Sequence, residues 1–291
     1  PNTASDESHY GAAISAGRAG SANGLLLRSL ANPEFPAIAR ATMLTLLAPQ
    51  ADKALLTALQ AAIDDPDPLV RIAALRALRS QPAEVQMQQG SQLLHDPVRG
   101  VRVEAALTYA EYRDLLPARD ARAFESAADD YRSAMLATAN MPESATILAE
   151  FESRTGNPAD AERYFRHAIR VDPAFAGARH AYGLYLVRAG RSDDALAELR
   201  LAAGLEPESS RYVYVLGVAL NSLGLADEAM GLLQKARKDF PDDFDIAWGL
   251  ATMLRDSGDN AAALSVAREL EEQFPEDPNV AALINSLQEG R

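Results

Sequence analysis

The chain has 291 residues, no cysteine, and 28 lysines and arginines against 41 aspartates and glutamates, a formal net charge of −13. A field of that sign repels phosphate backbones and anionic lipid surfaces, which disfavours general nucleic-acid or membrane-surface binding. The missing thiol excludes disulfides, thiolate metal sites, cysteine nucleophiles and covalent haem attachment within these residues, and no run of about 18 apolar residues offers a membrane span.

Residues 1–31 form a lead-in. Asn2 to Ser8 is small and polar and is expected to be disordered or loosely docked, and a start at Pro1 without methionine or a basic-then-apolar leader is expected of a processed product or a fragment. Two short helices are predicted between His9 and Leu30, interrupted by Gly17, Gly20 and Gly24, the second carrying Leu25, Leu26, Leu27 and Leu30, enough to bury one face. These glycines read as turns: no strand precedes them and no lysine with serine or threonine follows, as a phosphate loop would need.

Residues 32–115 carry a period of 31. Arg40, Arg71 and Arg102 recur in phase, each preceded by an apolar residue, while Asp65-Pro66 and Asp96-Pro97 stand at equivalent places with Glu34-Phe35 before them. An acidic residue and proline followed by a helix that opens with arginine is similar to short HEAT-like repeats. That resemblance implies an aspartate that caps a helix and pairs with the arginine of the neighbouring repeat, forming a ladder. Residues 116–141 join this array to the next: helical composition from Ala121 to Ala139, with Phe124, Ala128, Tyr131 and Met135 on one side, resembles the second helix of an incomplete repeat of the following kind.

Residues 142–277 are written four times at a spacing of 34. Gly156, Gly190, Gly224 and Gly258 end first helices, Ala161, Ala195, Ala229 and Ala263 mark close helix crossings, and Pro173, Pro207, Pro241 and Pro275 stop second helices. The first helices carry a large-then-small pair: Leu148/Ala149, Tyr182/Gly183, Leu216/Gly217 and Leu250/Ala251. These columns resemble four tandem tetratricopeptide repeats, although the tryptophan usual early in each repeat is replaced by Ala145, Arg179, Val213 and Ala247. Residues 278–291 resemble the solvating helix that caps such an array. The expectation is an all-α right-handed superhelix, HEAT-like and then tetratricopeptide-like, with one continuous core across the join.

No motif for catalysis stands out. His9, His95, His167 and His180 lie far apart without metal-ligand spacing, no nucleophile elbow is present, and Asp64, Asp65 and Asp67 lack the glycine and distal glutamate of a calcium loop. The chain is therefore expected to be no enzyme, with no catalytic, cofactor or metal residues. The family resemblance implies instead a concave groove that holds a protein segment, lined at fixed first-helix places by His180, Leu184, Arg188, Arg211, Tyr214, Asn221, Trp248 and Arg255. A carboxylate clamp on a peptide terminus, which in the family needs lysine and asparagine at set groove places, is disfavoured, because place 9 of the four repeats reads Glu150, Leu184, Val218 and Thr252. The order of the two arrays, with His9-Tyr10-Gly11 ahead of them, also resembles the C-terminal region of bacterial multihaem c-type cytochromes. That second resemblance implies a periplasmic or extracellular location, with a cytoplasmic one as the alternative if it does not hold, haem only upstream of Pro1, and a partner that is a cytochrome or another copy of the chain.

Overall fold

The computed structural model describes residues 11, 13–14, 23–47 and 53–289. All regular elements among them are helical, and they fall into two compact units: Pro1–Ala137 with Arg154–Asn157, and Thr138–Ser153 with Pro158–Arg291. The expected helix before Gly17 and the polar start lie largely outside the described residues.

The first unit contains α1 (Asn23–Leu30), α2 (Ala37–Leu46), α3 (Lys53–Ile63), α4 (Pro68–Leu78), α5 (Ala83–Gln88), α6 (Arg99–Tyr109) and α7 (Ala118–Leu136), with 3-10 turns at Ser91–His95 and Ala110–Leu115. Its core is made of residues such as Met43, Leu59, Leu75, Leu78, Tyr109 and Phe124, all essentially without solvent contact. Helices α2, α4, α6 and α7 pack in succession, and a ladder of ion pairs runs along them. Arg40 pairs with Asp65, Arg71 Nε donates to Asp96 Oδ2 over 2.7 Å, and Arg102 reaches Asp130 over 3.0 Å. The ladder aspartates do not cap helices as the resemblance implied. Asp65 Oδ1 accepts from the Asp67 amide inside the turn, leaving Asp67 to cap α4 through the Leu69 amide.

The second unit alternates first and second helices: α8 (Pro142–Arg154) and α9 (Pro158–Val171), α10 (Ala176–Arg188) and α11 (Ser192–Leu205), α12 (Ser210–Ser222) and α13 (Ala226–Asp239), α14 (Phe244–Asp256) and α15 (Asn260–Gln273), then the single α16 (Pro278–Glu289). The sequence columns have direct structural counterparts. Gly190, Gly224 and Gly258 have φ of +71°, +80° and +88°, a region costly for any residue with a Cβ. At each the next amide reaches back to the carbonyl five residues earlier: Arg191 to Leu186, Leu225 to Leu220, and Asp259 to Leu254, at 2.9, 2.9 and 3.0 Å. This closes the helix by satisfying a carbonyl the helix itself leaves unpaired. Ala161, Ala195, Ala229 and Ala263 are fully buried.

The small member of the first-helix pair has a clear reason at two repeats. A Cβ on Gly183 would stand 2.7 Å from Leu199 Cγ, and one on Gly217 would stand 2.8 Å from Leu233 Cδ2. Each second helix thus drives a leucine against the bare backbone of its partner. Where tryptophan is usual, Arg179 lies against α11 instead and bonds Glu198 over 2.8 Å. Helix α16 buries Val280, Leu283, Ile284 and Leu287 against the preceding pair.

Candidate functional site

The first-helix residues expected to line a groove lie on α10, α12 and α14. Helices α12 and α14 touch, which sets Tyr214 beside the next repeat: its Cε2 is 3.0 Å from where a Cβ on Gly249 would stand. Trp248, the only tryptophan in the sequence, is half-buried and stacks on Phe244 with centroids 5.8 Å apart, and Phe244 meets the edge of Phe274 at 5.1 Å. Phe244 therefore fixes the Trp248 ring from inside the repeat while one part of the indole stays open to solvent. Burial, followed by the nearby Asp245 and Asp243 charges, pushes the Tyr214 phenol above its ordinary range, so it presents a neutral hydroxyl.

Around these rings the character is mixed apolar and basic. Leu184 is half-buried, while Val187 and Val218 are 40% and 41% exposed. Arg188 and Arg211 are exposed, and neither has an ion-pair partner among the described residues. Arg255 is exposed too, but its guanidinium lies 2.7 Å from Asp256, which neutralises it. Asn221 is half-buried near the end of α12.

His180 departs from the expectation. It is 6% exposed, lies against the Tyr212 ring with centroids 4.6 Å apart, and neither ring nitrogen has a hydrogen-bond partner among the described residues. It is a floor group under Tyr212 rather than part of an accessible wall. Sequence spacing could place its Cα but could not show which ring of the next helix covers it. Burial, with the Arg211 charge second, lowers its pKa to about 4. An unfolded histidine titrates near about 6.5, so the native chain refuses a proton that the unfolded chain accepts in between. Stability from the neutral ring is intact above that value and is lost as the pH falls toward about 4. The natural chain should lose about 3 kcal/mol more than His180→Phe across this window, measured by urea unfolding at a series of pH values. Parallel pH profiles would mean that the imidazole finds a partner in solution.

One cluster in the first unit contains serine, histidine and aspartate but lacks the order catalysis needs. Ser91 Oγ and His95 Nε2 both contact Asp120, at 3.1 and 2.9 Å, so the carboxylate sits between them and neither can act as base for the other. Burial pushes the Asp120 carboxyl up, but the hydrogen bonds from His95, Ser91 and Arg119 outweigh it and hold it below the usual range. Asp120 thereby ties the turn at residues 91–95 to the first turn of α7. Among the described residues no group of three or more histidines and carboxylates could hold a metal, and no helix is long and apolar enough to cross a membrane.

The tetratricopeptide repeat family model matches residues 102–273, more than half of the chain. The chain belongs to the tetratricopeptide repeat family. The match begins inside α6, upstream of the four regular repeats. No curated protein matches the sequence. Among solved structures, the chain is similar to MamA at 20% identity, covering 54% of this chain and 92% of that one with a TM-score of 0.46. It is similar to YrrB, described as a tetratricopeptide repeat protein with an unusual peptide-binding site, at 20% identity over 56% and 84% with a TM-score of 0.45. It is also similar to pilF of Pseudomonas aeruginosa at 19% identity over 69% and 86%, with a TM-score of 0.48.

Proposed function

We propose that this tetratricopeptide repeat protein is a non-catalytic scaffold that holds an extended segment of a partner protein against the first-helix face of α10, α12 and α14. The observation that carries the reading is the company kept by Trp248 and Tyr214. Of two half-buried aromatic residues on neighbouring first helices, Trp248 is stacked on Phe244 of its own repeat and Tyr214 lies against Gly249 of the next, and the same helices and α10 carry exposed valines and two unpaired arginines, Arg188 and Arg211. Aromatic anchors and arginine dominate binding energy at protein interfaces because they offer large area at little conformational cost. A net charge of −13 makes those free arginines the locally favourable place for acidic partner residues.

The test uses peptides selected against the full chain from a displayed library of random sequences. Trp248→Ala and Tyr214→Ala should each weaken the selected binders by about tenfold or more, as expected of truncated interface anchors. Arg188→Glu, at an exposed unpaired site, should weaken acidic binders without moving the thermal midpoint. Unchanged affinities in all three variants, with melting curves intact, would remove this face as the binding site. The cytochrome-docking alternative has no observation of this structure in its favour and is not proposed.

A further inference from the structure

The second helices carry a separate feature. Between α9 and α11 lies a cleft of about 410 Å³ whose base is formed by Ile169 and by Tyr182 and Leu186 of α10, with exposed Ala197 at its edge. Its polar rim can be followed charge by charge. Glu162 Oε1 accepts from Arg191 over 2.8 Å and from the Tyr182 hydroxyl over 2.9 Å, and Arg166 lies 2.6 Å away. Arg191 also reaches Asp194 over 2.7 Å, and Glu198 is held by Arg179 over 2.8 Å. Arginines 166, 179 and 191 are thus balanced by Glu162, Asp194 and Glu198. Arg170 remains: it is exposed, lines this cleft and an adjoining one of about 560 Å³, and has no ion-pair or hydrogen-bond partner among the described residues.

We infer that this cleft is a second protein-binding site, which takes an apolar side chain against the accessible Ile169 and Ala197 and pairs a neighbouring carboxylate of the same segment with Arg170. The charge balance selects a single carboxylate over a polyanion, because one guanidinium is unmatched and the remainder of a chain of net charge −13 repels phosphate arrays. The guanidinium fork donates two parallel hydrogen bonds to a carboxylate, and the Arg166–Glu162–Arg191 network ties the Arg170 helix, α9, to the start of α11 through groups already matched in charge. An apolar base beside one oriented charge gives both affinity and direction to a short segment.

A displayed library of random dodecapeptides, selected on the full chain, separates this site from the first-helix face. The expected result is a class of peptides with aspartate or glutamate next to a large apolar residue. Their affinity should fall about tenfold or more in Arg170→Glu, as for loss of a charge-assisted bond, and partly survive in Arg170→Lys. Ala197→Trp, which fills the cleft from an exposed position, should also abolish their binding, while the Trp248→Ala and Tyr214→Ala pair leaves it unchanged. Circular dichroism should show the same helix content and midpoint in each Arg170 and Ala197 variant. The inference is overturned if no such class is selected, if its affinity is unmoved by Arg170→Glu, or if every selected peptide is lost with Trp248 and Tyr214. Loss through Arg170 with no effect of the aromatic pair upholds this site and leaves the first-helix face to be judged on the peptides that do not need Arg170.

Discussion

Arg71→Ala is expected to destabilise the first unit by about 3–5 kcal/mol, the cost of removing one partner from a buried ion pair. The Arg71 side chain is 11% exposed and that of Asp96 is 4% exposed, and their contact uses two bonds, of 2.7 and 3.0 Å. The same guanidinium donates to the Asp65 and Pro66 carbonyls at 2.8 and 3.0 Å, so truncation would leave a buried carboxylate and two turn carbonyls without their donor. Arg102→Ala provides the comparison. Both Arg102 and Asp130 are 26% exposed, and water can replace much of what the pair supplies, so its loss should cost about 1–2 kcal/mol. Thermal and urea unfolding of the full chain, followed in parallel, should show the larger shift for Arg71. Equal small shifts would mean that the ladder fixes register without being needed for stability.

The ladder was legible in the sequence because three arginines in phase, with aspartates at constant offset from them, are hard to reconcile with anything but stacked helical repeats. Its last rung was not. No Asp-Pro turn follows Arg102 at the same offset, and its partner Asp130 comes from the long helix α7, which follows a different local pattern. The four-repeat array was legible for a related reason: each column answers a local backbone demand. Glycine is required at positive φ, alanine at a close crossing, and proline after a helix end, and all three can be read without knowing the fold. The groove residues were legible as positions but not as environments. His180 shares the spacing of Tyr214 and Trp248, yet Tyr212 covers it, and that depends on how the ring of one helix turns toward the next. The cleft between α9 and α11 was illegible, because its character comes from charge pairs across repeats, such as Arg191 with Glu162, and only their closure shows that Arg170 is left over.

The close crossing of α10 and α11 predicts a change of sign between single and double substitutions. Leu199 is 1% exposed and packs on the bare Gly183 backbone, so Leu199→Ala should cost about 2–5 kcal/mol through lost burial and the cavity it leaves. Gly183→Ala places a methyl 2.7 Å from Leu199 Cγ and 3.4 Å from the Ala195 carbonyl oxygen. Glycine to alanine in a helix normally gains about 1 kcal/mol, but overpacking a fixed crossing costs about 1–3 kcal/mol, so the single variant should be less stable than the natural chain. In a Leu199→Ala background the obstructing branch is gone. The same methyl then fills part of the cavity and retains its helix preference, and Gly183→Ala should restore about 1 kcal/mol or more. A double-mutant cycle from urea unfolding measures this coupling directly. If Gly183→Ala has the same effect in both backgrounds, Leu199 moves aside freely, and the small member of the first-helix pair is not demanded by the packing of these two helices.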